Sequence, residues 1–312
     1  MRSDVSEAGF NRLLKLAHRT ENASLSLEKL AYGFWRQFLN TEMKTQVIET
    51  LSSLGQQGDA YADHIALDLI LLWGHEEWKE LPESIAVHTV SILEHSLTGP
   101  PRFRSNEWLH AVRKLPASYD ETKLKLITRV ATDPRLDVDL DLTNGAENML
   151  HQLAKNSPKP VMEAVGERAL DPETRVSFFY RNFTGLFDAI GLDVVKEWVG
   201  RVGEPGALAI ARHLFSPMPS AANPTQVPPL TEWLLSEFED SDEVFSEFYA
   251  GRHAGQICFG SLSGIFDGTE ERMQPYLTHR LRRIREWAQY EIANAKGTRA
   301  WDAQREAEFG RV

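Results

Sequence analysis

The sequence predicts an all-α fold of stacked helical hairpins forming an irregular α-solenoid. Three observations lead there. Apolar residues recur every three to four positions along nearly the whole chain. Proline, glycine, asparagine and aspartate cut that pattern into segments of helical length. The 312 residues, 42% of them hydrophobic, suffice for two compact domains or one elongated array.

In the 24–54 stretch, Leu27, Leu30, Phe34, Phe38, Leu39, Val47, Leu51 and Leu54 trace one helix face, with a break at Asn40-Thr41. The 59–78 segment places Ile65, Leu69, Leu72 and Trp73 along one side. Leu81-Pro82-Glu83 then starts a helix, because proline is tolerated in a first turn where its missing N–H costs nothing. Its stripe is Ile85, Thr89, Ile92, Leu93 and Leu97, stopped by Gly99-Pro100-Pro101. Asn106 is read as the cap of a 107–115 helix. Further helices follow at 123–132, 144–155, 160–170, the aromatic 174–189 run, 193–202 and 206–215. Residues 135–142 alternate leucine and valine with Asp137, Asp139 and Asp141, which predicts one short extended segment. The 216–230 stretch holds five prolines and reads as a loop or linker. It separates a helical-repeat region, 1–215, from a C-terminal helical region, 231–296, that packs on the array, followed by a tail, 297–312. Within that region, 231–249 is helical with a break at Ser241, 251–268 is irregular, and 274–296 is the last long helix.

Asp133-Pro134 and Asp171-Pro172 stand 38 residues apart, each between two helical segments. Together with the 281–288 helix (Leu281, Arg282, Arg283, Ile284, Arg285, Glu286, Trp287 and Ala288), these corners resemble degenerate HEAT or armadillo-type repeats. In such repeats an Asp-Pro corner precedes a helix carrying arginine and small apolar residues. The resemblance is clearest over 120–190 and 275–296. It implies a helical scaffold or sensor region like those of large bacterial multidomain proteins. An irregular all-helical globule is the alternative that the same periodicity allows.

No complete catalytic or cofactor motif is present, so the expectation is no catalytic, cofactor or metal residues. There is no Gly-rich loop ending in Gly-Lys-Ser/Thr. His75-Glu76 opens like a zinc-protease helix, but position 79 is Lys79 where the second histidine would stand. His88 and His95 lack a third ligand. Counted from Asp137, the calcium-loop glycine and glutamate positions hold Leu142 and Asn148. The 260–264 segment has Leu262, not serine, between its glycines. Cys258, the single cysteine, reads as a small buried hydrophobe, with His253 its one candidate partner. One cysteine also excludes an intrachain disulfide. Glu7, Lys15 and Arg19 interrupt the N-terminal apolar positions, and Asp68 interrupts the greasiest stretch, so a cytoplasmic protein without a membrane span is expected.

Charge carries the functional reading. The net charge is −11, the wrong sign for a protein dedicated to phosphates. It is also segregated. The 232–247 stretch holds seven carboxylates and no lysine or arginine, with Phe238 as a contact candidate. Arg280, Arg282, Arg283 and Arg285 cluster in the last helix. Leu281, Ile284, Ala288 and Ile292 make the inward stripe of that helix, so Arg282 and Arg285 point outward and are the candidate protein-binding residues. These features predict an interaction or scaffold module within a larger bacterial assembly, with a protein partner or a neighbouring domain. Two alternatives stand: an enzyme whose site assembles only in the fold, and a nucleic-acid-binding helical-repeat surface, which would need the C-terminal arginines aligned with Arg102, Arg104 or Arg113. The acidic and basic segments meeting within the chain is a further reading, and it would consume the whole signal. Nothing in the pattern assigns an oligomeric state.

Overall fold

Capping side chains and prolines decide where the helices begin. The computed structural model describes residues 7–17, 23–32, 39–59, 61–76, 79–98, 104–136, 140–174, 183, 185–217, 223, 225–253 and 268–309. They form helices and turns, and no strand occurs among them. The chain divides into two compact units, Met1–Leu150 and His151–Val312.

The first unit contains α1 (Glu7–Ala17), α2 (Ala23–Tyr32), α3 (Thr41–Gln56), α4 (Ala62–Glu76), α5 (Glu83–Ser96), α6 (Ser105–Lys114), α7 (Asp120–Thr132) and the start of α8 (Leu140–Asn156). Asn40 caps α3 by accepting the Met43 N–H at 2.9 Å, which satisfies one orphan donor of the first turn. α5 follows Pro82 directly, and its predicted stripe is buried. α6 begins earlier than Asn106. Its first turn is closed by Glu107, whose Oε2 accepts the Arg104 N–H at 3.1 Å, so a carboxylate three residues in does the capping. α3 packs on α4 and α5, α4 on α5 and α6, and α5 on α6 and α7. Trp73 of α4 and Trp108 of α6 are fully buried, and the Trp108 indole N–H reaches the Leu93 carbonyl at 3.4 Å. Burying side chains of this size contributes on the order of 2–3 kcal/mol each.

The extended segment expected at 135–142 is not found. Pro134–Leu136 form a 3₁₀ turn and residues 140–142 open α8; residues 137–139 lie outside the described set. Leu136 and Leu142 are buried and Asp141 is exposed, as alternation required. A lone strand would leave its ladder groups without partners, whereas Asp141 in a first helical turn complements the helix dipole. The two Asp-Pro corners share a local geometry. Asp133 ends α7 and Asp171 ends α9 (Pro158–Leu170), both with extended backbone. Each carboxylate accepts the N–H two residues on, from Arg135 at 2.9 Å and Glu173 at 3.0 Å.

After α9 the second unit contains α10 (Leu186–Ile190), α11 (Leu192–Val202), α12 (Glu204–Ala211), α13 (Pro229–Glu237), α14 (Asp242–His253), α15 (Thr269–Met273), a 3₁₀ turn (Gln274–Thr278) and α16 (Arg282–Phe309). Most of the aromatic 174–189 run and the 254–267 segment with Cys258 lie outside the described residues. His213 sits against the rings of Phe183 and Phe187, where burial drives its pKa down to about 3. Tyr276 is buried, donates to the Gln226 carbonyl at 3.0 Å and meets Trp287 edge-on, which pins the described part of the proline-rich stretch to the last helix. α16 begins at Arg282 and not at 274, because the Gln274–Thr278 turn intervenes. It also runs well beyond 296, since alanine, glutamate, glutamine and arginine in 297–309 are strong helix formers. Leu281, Ile284 and Ala288 are buried as expected, Ile292 is half-buried, and Gln289, off that stripe, is exposed.

Two helix crossings depend on missing side chains. A Cβ at Gly166 of α9 would overlap the Trp198 indole of α11, and one at Gly251 of α14 would overlap the Arg212 backbone carbonyl. An indole can shift, but a carbonyl in a packed turn cannot do so cheaply. Gly251→Ala should therefore destabilise the protein by about 1–3 kcal/mol. Gly200→Ala, in α11 with open space at its Cβ, should stabilise by about 0.5–1 kcal/mol through helix propensity. Chemical denaturation of the two variants checks this; equal effects would mean that α12 and α14 do not approach so closely.

Candidate functional site

The basic cluster and the acidic stretch meet within the second unit. Arginines at the start of a helix oppose its dipole, whose positive end lies there. The turn between α13 and α14 supplies the compensation. Glu239 accepts the Arg282 backbone N–H at 3.0 Å on its carboxylate. Its carbonyl accepts Arg282 Nη2 at 2.7 Å and Arg283 Nε at 2.6 Å. Arg283 is the centre of the cluster, with its side chain 5% exposed. It donates to Asp242 at 2.7 Å and to Glu286 at 2.8 Å, and its guanidinium carbon lies 5.0 Å from the Phe245 ring centroid. Burial opposes the Arg283 charge, but the bonds to Asp242 and Glu286 outweigh it and raise its pKa. Arg280 adds a bond to Glu232 of α13 at 2.5 Å.

Side chains thus bridge α14 and α16, and between the helices runs an open groove of about 410 Å³. Phe245, Tyr249 and Tyr290 form its aromatic wall; Tyr290 stands 6.1 Å from Phe245 and 5.6 Å from Tyr249 between centroids, and is 54% exposed. Asp242, Arg282, Arg283 and Glu286 supply the charged lining. Beside it lies a second open concavity of about 490 Å³, lined by Glu204, Glu237, Phe238, Glu239, Asp240 and Glu243 together with Ser236 and Ser241.

The two arginines singled out from the sequence have different places. Arg282 lines the groove with its side chain 44% exposed, and it contacts Glu239, Asp240 and Glu286. Arg285 is half-buried and donates to the carbonyls of His279 at 2.7 Å and Arg280 at 3.1 Å, which secures the end of the 3₁₀ turn. Outward direction on the helix is therefore not freedom from the fold, and reversing both charges would disturb it. Arg104 pairs with Glu107, and Arg102 lies outside the described residues.

The periodic reading missed two carboxylate–imidazole pairs in the first unit, because each partner comes from a different helix. On α4, Asp63 accepts or donates with His95 Nδ1 of α5 at 2.6 Å, and the adjacent His64 Nδ1 lies 3.1 Å from Glu107 of α6. Glu107 is fully buried. Its hydrogen bond raises the His64 pKa in spite of burial, while burial raises that of Asp63 against the pull of His95. Tyr32 bonds Asp68, one turn along α4 from His64, and burial together with that carboxylate raises the phenol pKa. These groups tie α4 to α2, α5 and α6. Among the described residues no group of three or more His, Cys, Asp or Glu side chains is placed to hold a metal, and no helix is long and apolar enough to cross a membrane.

Removing Arg283 should cost more than removing its neighbours. Arg283→Met should lose about 2–3 kcal/mol, against about 1 kcal/mol each for Arg282→Ala and Arg285→Ala, as read from denaturant unfolding. A ranking with Arg283 last would refute its central place. The histidines set the pH response with opposite signs. The raised His64 pKa contributes stability that is full below about pH 6.5 and is lost as pH rises through the folded value. The depressed His213 pKa contributes stability present above about pH 6.5 and lost as pH falls toward 3. Thermal unfolding from pH 5 to 9 should show both flanks, and His64→Gln should flatten only the alkaline one. An alkaline flank unchanged in that variant would remove His64 as its source. Comparison with protein-family models, curated proteins and solved structures returns no match for this chain.

Proposed function

We propose that the chain is a protein-interaction module of scaffold type, without catalysis of its own, whose docking surface is the groove between α14 and α16. One observation carries the reading: an aromatic wall with Tyr290 more than half exposed, edged by Arg282, in an open groove of about 410 Å³. Tyrosine and arginine are enriched at the energetic centres of interfaces, and an aromatic ring buries much area with few rotors to freeze. Arg282 forms the basic edge of this surface, and Arg285 supports it by holding the turn that precedes α16. The solenoid part of the proposal draws on the first unit, where α1 packs on α3, α2 on α4, α3 on α5, α4 on α6 and α5 on α7. Next-but-one packing of this kind is what stacked helical hairpins produce.

The test is affinity isolation at low and moderate salt, with proteins and nucleic acids both identified. Tyr290→Ala is compared with Tyr61→Ala, an equally exposed tyrosine of the first unit. The expected result is a protein partner retained by wild type and Tyr61→Ala, and reduced at least about tenfold by Tyr290→Ala. Equal recovery with Tyr290→Ala would reject the groove. Salt-sensitive recovery of nucleic acid alone would overturn the protein-interaction reading.

A further inference from the structure

We propose that the occupant of this groove is a basic protein segment, with an arginine or lysine side chain laid against Tyr290. The inference rests on the groove being the docking surface and adds the chemistry of what docks. The groove already contains a version of the contact. Arg283 lies over Phe245, held by carboxylates at both ends of its guanidinium. Cation, ring and carboxylate therefore coexist there in a favourable arrangement. Tyr290 continues the same aromatic wall from Phe245 and is more than half exposed, with no cation over its ring among the described residues.

The surrounding charge points the same way. The groove and the adjoining concavity are lined by seven carboxylates, Asp242 and Glu286 in the first and Glu204, Glu237, Glu239, Asp240 and Glu243 in the second, against the guanidinium groups of Arg282 and Arg283. Both arginines are occupied by intramolecular acceptors. Asp242 gives one oxygen to Arg283 and keeps its side chain 88% exposed. An acidic segment would meet this surplus and would have to displace Glu239 and Asp240 to reach Arg282. A basic segment would meet complementary charge and an uncovered ring.

Fluorescence anisotropy of labelled hexa-arginine, with hexa-glutamate as control, at physiological ionic strength tests the assignment. Wild type should bind hexa-arginine and not hexa-glutamate. Tyr290→Ala should weaken binding about fivefold, while Tyr290→Phe, which keeps the ring, should stay within about twofold. Glu121→Gln, an exposed carboxylate of the first unit, controls for net charge and should leave binding unchanged. Hexa-arginine binding indifferent to Tyr290→Ala, or matched by hexa-glutamate, would overturn the proposal. Were Tyr290→Ala to abolish recovery of a partner yet leave hexa-arginine binding intact, the docking surface would stand and its basic occupant would fall.

Discussion

Four arginines at the positive end of a helix dipole are an electrostatic liability, and the second unit is arranged around relieving it. Arg282, Arg283 and Arg285 occupy the first turn of α16 and Arg280 stands two residues before it, where a helix favours carboxylates. The acidic turn from Phe238 to Asp242 answers with a carboxylate on the first amide, a carbonyl shared by two guanidinium groups and an aspartate on the buried one. Without that turn, Arg283 would be a cation held among apolar rings with Glu286 alone. Its position in turn fixes the spacing of α14 and α16. The groove lies where Arg282 and Arg283 reach the acidic turn before α14 and Tyr290 meets Phe245 and Tyr249.

The two units solve helix packing differently. In the first, large indoles fill the core, and imidazole–carboxylate pairs stitch α4 to its neighbours. In the second, glycine permits close approach, of the Trp198 indole at Gly166 and of the Arg212 backbone at Gly251, and arginine–carboxylate pairs reach between the α13–α14 turn and α16. Close packing through glycine leaves no slack for a side chain, whereas ion-bridged helices leave a surface that water and a partner can reach. That contrast places the accessible aromatic surface on α14 and α16 and not on α12 and α14.

What the sequence disclosed follows from the range of each interaction. Local signals were legible: the breaks at Asn40 and Ser241, the start after Pro82, and the buried face of α16 at Leu281, Ile284 and Ala288. Capping by Glu107 was missed because a cap three residues inside the helix competes with the nearer Asn106. The 135–142 alternation misled because Leu136 and Leu142 are buried in either conformation, so side-chain pattern alone does not separate them. The opposite charges of 232–247 and 280–285 were visible as segregation. Their mutual contact spans more than forty residues of chain, and spacing carries no information over that distance. The groove was invisible for the same reason: Phe245 and Tyr249 lie more than forty residues before Tyr290, which they meet only in the fold.

Intramolecular pairing changes what Arg282 can contribute to an interface. A guanidinium free in water would gain a charge-assisted bond from any partner carboxylate. Arg282 already contacts Glu239, Asp240 and Glu286, so a partner carboxylate would exchange one such contact for another and gain little net energy. The uncovered resource is the exposed Tyr290, in a groove that Asp242 and Glu286 also line. A cation laid on that ring would gain without breaking a bond that the fold uses. The same arginine cluster that relieves the start of α16 thereby has its own charge answered within the fold.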